Sequence, residues 1–295
     1  MSTSVTIQQV IACAGVGSSF FDDQAAIKAG AKRDGAAYSG TAVTPGFSAV
    51  REPSESVSVL LVLSDGYVAK GDCASVQYTG VGGREPRFHA SQLARQIEQE
   101  LGPRLVGRDI RAFRESAQHA ESLIDGLFEA RRAAAYGVSQ ALLDAAAHAA
   151  GHHLMAQVIR DEWDITTPMA PVPIYGQCGD ERYTNVDKMI LKGVPVLPHG
   201  LINTLDLVGT GGDALERYVL WLKERIGQLN TRSGYQPVLH LDVYGLIGTA
   251  AQGDLATTVE IILRLERAAR PHALRIEHPL DAGGRDAQIE ALRQL

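Results

Sequence analysis

The chain has 295 residues, of which 45% are apolar and 21% charged, ample material for a large core and for two domains. Its formal net charge of −6, with no dense Lys/Arg run to neutralise successive phosphates, argues against a nucleic-acid partner. The three cysteines, Cys13, Cys73 and Cys178, are odd in number and lack CxxC spacing, so neither a disulfide framework nor a zinc site is indicated and a reducing cytoplasm is the expected compartment.

Met1 to Ala12 lacks a basic segment followed by a long apolar run, and the longest apolar stretches are strand-length, so no export or membrane segment is expected. Val57 to Leu63 is β-rich, Asp65-Gly66 follows, and Tyr67 to Cys73 resumes strand-like composition, which together predict a hairpin. From about Ser91, Leu93, Ile97 and Leu101 recur at four-residue spacing, and an Ala-rich segment from Arg131 to Ala150 has high helix propensity. Sheet first and helices after predict an α+β domain. Pro168, Pro171 and Pro173 then mark a break, dividing the chain into residues 1–167 and 168–295.

Beyond the break, short apolar strands alternate with amphipathic helices, the pattern of a parallel sheet with crossover helices. The expected strands are Val172 to Gln177, Val194 to His199, Pro237 to Val243 and Ala273 to Glu277, with helices near Asp213 to Leu229 and Asp254 to Ala269. In the first of these helices Leu215, Tyr218, Val219, Leu222, Ile226 and Leu229 share a face, and Asp213 with Glu216 resembles a capping box. A full (β/α) barrel takes about 250 residues, so the length after residue 168 predicts an incomplete barrel.

Each expected strand ends in a polar residue: Gln177, His199, Asp242 and Glu277. In a (β/α) barrel that strand end is the active-site face. Asp242 and Glu277 lie 35 positions apart, about one strand–helix–strand repeat, so both carboxylates should project from adjacent strand ends. Such hard oxygen donors suit Mg²⁺, which completes its octahedron with water and substrate oxygens. Taken alone, either carboxylate is better read as a helix cap or an arginine partner; the pair at this spacing favours metal binding. His199 is a candidate acid or hydrogen-bond donor, against a structural role beside Pro198. Gln177 offers donor and acceptor to a substrate carboxylate or amine, against a turn-stabilising role. The Gly-rich stretches Gly15 to Ser19, Gly80 to Gly83 and Gly209 to Gly212 lack phosphate-loop or dinucleotide spacing and read as loops. His148 and His152, four apart without a zincin glutamate, read as a solvated helix face, and no Gly-x-Ser-x-Gly nucleophile elbow is present.

The strings Phe21-Asp-Asp-Gln24, Val59-Leu-Leu-Val-Leu63, Gly71-Asp-Cys73 with Val76-Gln-Tyr78, Gln177-x-Gly-Asp with Arg182-Tyr183, Asn185-Val-Asp-Lys-Met189, Val196-Leu-Pro-His199 and His240-x-Asp-Val-Tyr-Gly245 resemble the methylaspartate ammonia-lyase family of the enolase superfamily. The resemblance implies an enolase-like α+β N-terminal capping domain followed by a TIM-type barrel, a homodimer, and reversible loss of ammonia from 3-methylaspartate to give mesaconate through a Mg²⁺-stabilised enediolate. It implies Asp242 and Glu277 as magnesium ligands, His199 as a stabiliser of reaction charge, Gln177 as a substrate contact, and Gln77 reaching the same pocket. A monovalent cation such as K⁺ is a further candidate. The family's third acidic ligand and lysine base would lie beyond Leu295; Lys188 and Lys192, which precede the second expected strand, are not substitutes for that base. The expectation is therefore a chain whose sequence is truncated, or whose missing half arrives as a separate polypeptide, and which is inactive or impaired alone. The alternatives are another enolase-superfamily lyase or racemase, and a non-catalytic remnant serving as a binding or dimerisation module.

Overall fold

The computed structural model describes residues 4–74, 87–129 and 131–295. They form two compact units, one running to Asp23 and resuming from Pro45 to Met169, the other comprising Gln24–Thr44 and Ala170–Leu295. The later unit thus takes in Gln24–Thr44 as well as the residues after the proline-rich break. Gln24–Thr44 belongs with the later unit, where Gln24 Nε2 donates to the Asn203 carbonyl (3.2 Å), Asn203 Nδ2 donates to the Tyr38 hydroxyl (3.4 Å) and Arg33 pairs with Glu181 (3.2 Å). Its short hairpin, β2 (Lys32–Asp34) with β3 (Ala37–Ser39), is polar and largely exposed.

In the first unit an antiparallel sheet has the order β1 (Ile7–Asp22), β4 (Arg51–Leu63), β5 (Val68–Cys73). The predicted hairpin is present: Val57 faces Cys73 and Val62 faces Val68. Its turn uses Gly66 at φ 87°, and the Asp65 carboxylate accepts from the Tyr67 amide at 3.1 Å. Gly15 to Ser19 is not a loop. It lies inside β1, where the register with β4 shifts between Val16 and Phe20, and a Cβ on Gly17 would meet Ser54 Oγ at 2.3 Å.

The helical layer buries its small face on this sheet. In Arg131–Ala149, Ala133, Ala134, Val138, Ala141, Leu142 and Ala145 are buried, and Gly137 packs directly on β5: a Cβ on Gly137 would stand 2.4 Å from the Cys73 amide nitrogen. His148 and His152 do not act as a pair. His148 stacks on Tyr67 at 3.8 Å and contacts Asp65 at 2.8 Å, while His152 contacts Asp161 at 3.0 Å. The four-residue spacing of Leu93, Ile97 and Leu101 also has a physical outcome. Four residues overshoot an α-helical turn by about 40°. A wider π turn at Ile97–Leu101, between the helices Ala90–Gln96 and Gly102–Leu105, takes up the excess, and Leu93, Ile97, Leu101 and Leu105 all stay buried.

The second unit carries a parallel sheet, β6 (Val196–Leu201), β7 (Val238–Asp242) and β8 (Leu274–Glu277), in that order. The expected strand Val172 to Gln177 is reduced to bridges, Tyr175 to Val196 and, just beyond it, Gly179 to Gly200. Pro171 and Pro173 have no amide hydrogen, so a continuous ladder cannot form there. The helix Asp213–Leu229 buries Leu215, Tyr218, Val219, Leu222 and Ile226 as the periodicity predicts. The capping box is absent: Gly212 is the N-cap, Asp213 pairs with Arg217 (2.6 Å) and Glu216 with Arg264 (2.8 Å). The helix Leu255–Ala269 has a side-chain cap, the Asp254 carboxylate accepting from the Thr257 amide at 2.7 Å. Among the described residues no helix is long and apolar enough to cross a membrane.

Candidate active site at the strand ends

In a parallel sheet built by crossover helices, one face of each strand packs on the helices and the other faces inward. On β7, Leu239 and Leu241 are buried, and the alternate positions His240 and Asp242 share the opposite face. The register pairs His240 with Arg275 and Asp242 with Glu277. The two carboxylates expected on adjacent strand ends therefore occupy neighbouring, in-register positions.

His199 reaches the same group through an irregularity in β6. The pairing with β7 shifts between Pro198 and Gly200, leaving His199 as the extra residue at φ 41°. His199 Nδ1 lies 3.4 Å from His240 Nδ1 and 3.8 Å from Glu277 Oε2, and His240 Nε2 lies 3.4 Å from Glu277 Oε2. Tyr175 walls the group, its ring 5.2 Å from that of His199 and 5.6 Å from that of His240. Left-handed backbone recurs just past the neighbouring strands, at Tyr244 (φ 50°) and His278 (φ 55°). Non-glycine residues rarely adopt this conformation, and such strain gathers at functional sites.

Burial disfavours the charged form of both imidazoles. Burial pushes His199 below the usual histidine value, His240 pushes the same way, and Glu277 opposes. Burial also lowers His240, again against Glu277. Asp242 is buried, and its Oδ1 accepts from the Tyr244 amide at 3.4 Å. Two carboxylates at in-register positions fit the donor chemistry of Mg²⁺.

The structure thus gathers His199 and Glu277 into one cluster with His240, and sets Asp242 beside Glu277 in register. Gln177 is exposed, just after the bridging residue Tyr175, while Gln77 lies outside the described residues. Lys188 and Lys192 are exposed on the helix Thr184–Lys192, where Lys188 bonds Asn185 at 3.0 Å. His240 is the residue that sequence reasoning missed. Its signal was the two-residue spacing from Asp242, which puts both on one face of a strand.

Comparison with known proteins agrees along the whole chain. Residues 5–164 match the model of the methylaspartate ammonia-lyase N-terminus, and residues 166–295 that of its C-terminus. The chain is 46% identical over 290 residues to the methylaspartate ammonia-lyase of Clostridium tetanomorphum, covering 98% of this chain and 70% of that protein. It is 48% identical over 288 residues to the Citrobacter amalonaticus enzyme, covering 97% and 69%. The crystal structure of the Citrobacter enzyme containing (2S,3S)-3-methylaspartic acid superposes with a TM-score of 0.89 at 47% identity, over 98% of this chain and 70% of that one. A Mg complex of the Clostridium enzyme gives 0.80 at 44% identity, with the same coverage. Muconate lactonizing enzyme from Pseudomonas fluorescens, at 13% identity and a TM-score of 0.59 over 99% of this chain and 64% of that one, shares the fold alone, in line with the expected capping domain and TIM-type barrel. The chain spans about 70% of the first relatives' length, and the expectation of an impaired chain completed by a second polypeptide gains no support from these matches.

Proposed function

The chain belongs to the methylaspartate ammonia-lyase family, and from that premise we propose that it removes ammonia from 3-methylaspartate to give mesaconate, at the carboxyl ends of β6, β7 and β8. The observation that carries the assignment of residues is the convergence there of His199, His240 and Glu277, with Asp242 in register beside Glu277. The acid bound in the Citrobacter relative and the Mg complex of the Clostridium relative support the choice of substrate and ion.

The reaction breaks the C–H bond beside one substrate carboxylate and the C–N bond on the neighbouring carbon, forms the C=C bond from the C–H electron pair, and releases the amine and the abstracted proton, together the equivalent of ammonium. A proton beside a carboxylate is weakly acidic, so the charge that develops on that carboxylate must be stabilised. Asp242 and Glu277 would hold Mg²⁺, which when bound supplies that stabilisation as a Lewis acid. His199, buried and set by the β6 bulge beside Glu277, would hydrogen-bond the developing charge. Gln177, with its exposed amide, would orient a substrate carboxylate or the amine. The homodimer and the monovalent cation belong to the same reading, and are checked by light scattering and by turnover in K⁺ against Na⁺.

The reading is tested by following mesaconate absorbance from 3-methylaspartate with Mg²⁺ supplied and then chelated. Turnover that stops on chelation is the expected result. Turnover of a different acid, with none of 3-methylaspartate, would move the chain to another lyase or racemase chemistry.

A further inference from the structure

The donor set at the strand ends contains more than a magnesium site needs. Mg²⁺ selects hard oxygen ligands and holds its waters, whereas imidazole nitrogen suits Zn²⁺ and its neighbours in the transition series. We propose that His199, His240 and Glu277 form a site for a borderline divalent cation of the Zn²⁺ type, different in donor chemistry from the Asp242–Glu277 pair and sharing Glu277 with it.

The geometry fits that ion. In a tetrahedral site with bonds of about 2.0–2.1 Å, neighbouring ligand atoms lie roughly 3.3–3.4 Å apart. His199 Nδ1 and Glu277 Oε2 are 3.8 Å apart, and His240 stands 3.4 Å from each of them, through Nδ1 toward His199 and Nε2 toward Glu277. With one donor atom taken from each residue, all three lie within 4.8 Å of one another, so a small rotation of the His240 ring offers one nitrogen to an ion held by both neighbours. Three protein ligands leave a fourth position open, as in sites where a water or a substrate oxygen completes the sphere. His199 and His240 stand on adjacent strands, one raised by a bulge and one at a regular inward position, so the backbone presets the spacing. Tyr175 packs against both rings and limits their rotation. Occupancy withdraws His199 and Glu277 from ammonia elimination, so Zn²⁺ is expected to inhibit turnover even with Mg²⁺ in excess; this consequence alone rests on the lyase reading.

The test uses the whole chain without substrate, titrated with Zn²⁺ in competition with a chromophoric chelator, and with Co²⁺ as a coloured probe. The expected result is one tight site per chain, Co²⁺ bands of tetrahedral intensity, and affinity lowered more than about tenfold in both His240→Gln and His199→Gln. Long-range ¹H–¹⁵N spectra of the unmutated protein provide a readout that does not depend on a variant folding. Zn²⁺ should shift ring nitrogens of both histidines, and Mg²⁺ should not. Affinity indifferent to both substitutions, or ring nitrogens unmoved by Zn²⁺, would overturn the site. Neither of those outcomes touches the lyase assignment, which fails separately if 3-methylaspartate is not turned over.

Discussion

Replacing Gly137 by alanine tests how the first unit is packed. A Cβ there would stand 2.4 Å from the Cys73 amide nitrogen, 2.5 Å from Cys73 Sγ and 2.8 Å from the Asp72 carbonyl carbon. The nearest contact is about 1 Å short of ordinary van der Waals separation, and two of the three atoms are backbone that cannot swing aside. Overpacking of a tight core costs about 3 kcal/mol at the upper end of the common range. Alanine in a helix interior returns about 1 kcal/mol of propensity. The net is a loss of roughly 2 kcal/mol, which for a unit of this size lowers the midpoint by roughly 4–8 °C. Gly126 is the matched control, because its Cβ would meet nothing within 4 Å in the helix Phe113–Leu127. Gly126→Ala should therefore stabilise, by up to about 1 kcal/mol. Circular dichroism during thermal and denaturant unfolding measures both variants. Equal stability of Gly137→Ala and Gly126→Ala would refute the claim that helix Arg131–Ala149 sits directly on β5.

Four other outcomes follow from the same structure. Asp254→Ala removes the side-chain cap of helix Leu255–Ala269 and should cost about 1 kcal/mol, read from the urea midpoint. In the native protein an alkylating reagent should label exposed Cys13 and spare Cys73 and Cys178, whose thiols burial pushes up to about 12 and about 11; equal labelling by mass spectrometry would contradict the packing. Those raised values stabilise the fold fully below the ordinary thiol value of 9.0, and the contribution is lost as pH rises from there toward 11 and 12, because the unfolded thiols ionise first. Asp242→Asn should lower mesaconate formation by at least about 10²-fold and raise the Mg²⁺ needed for half-activity; an unchanged Mg²⁺ requirement would remove Asp242 from the ion site.

Much of this architecture was legible in the sequence because local chemistry and long-range packing agree. Asp65-Gly66 between two β-rich runs has one good solution, and the apolar face of Asp213–Leu229 has the helical period. Where they disagree, the sequence misled. Val172 to Gln177 has strand composition, yet its prolines limit it to bridges. The hairpin of Lys32–Asp34 and Ala37–Ser39 buries almost nothing and left no hydrophobic pattern to read. Asp213 and Glu216 have capping-box spacing, but each is drawn to an arginine, one of them on another helix. At the site, the adjacency of Asp242 and Glu277 follows from repeat length alone. The approach of His199 to His240 does not, since it depends on a one-residue bulge that only the paired strands define.

Elimination of ammonia from 3-methylaspartate by groups at the chain's own strand ends is the proposal on which the assigned residue roles depend. It is tested most directly by measuring mesaconate and ammonia together, from 3-methylaspartate and Mg²⁺, with the unmutated chain and with Glu277→Gln. The expected result is equimolar products from the first and a loss of at least about 10²-fold in the second. Equal rates in the two, or no ammonia from a folded unmutated chain, would contradict it.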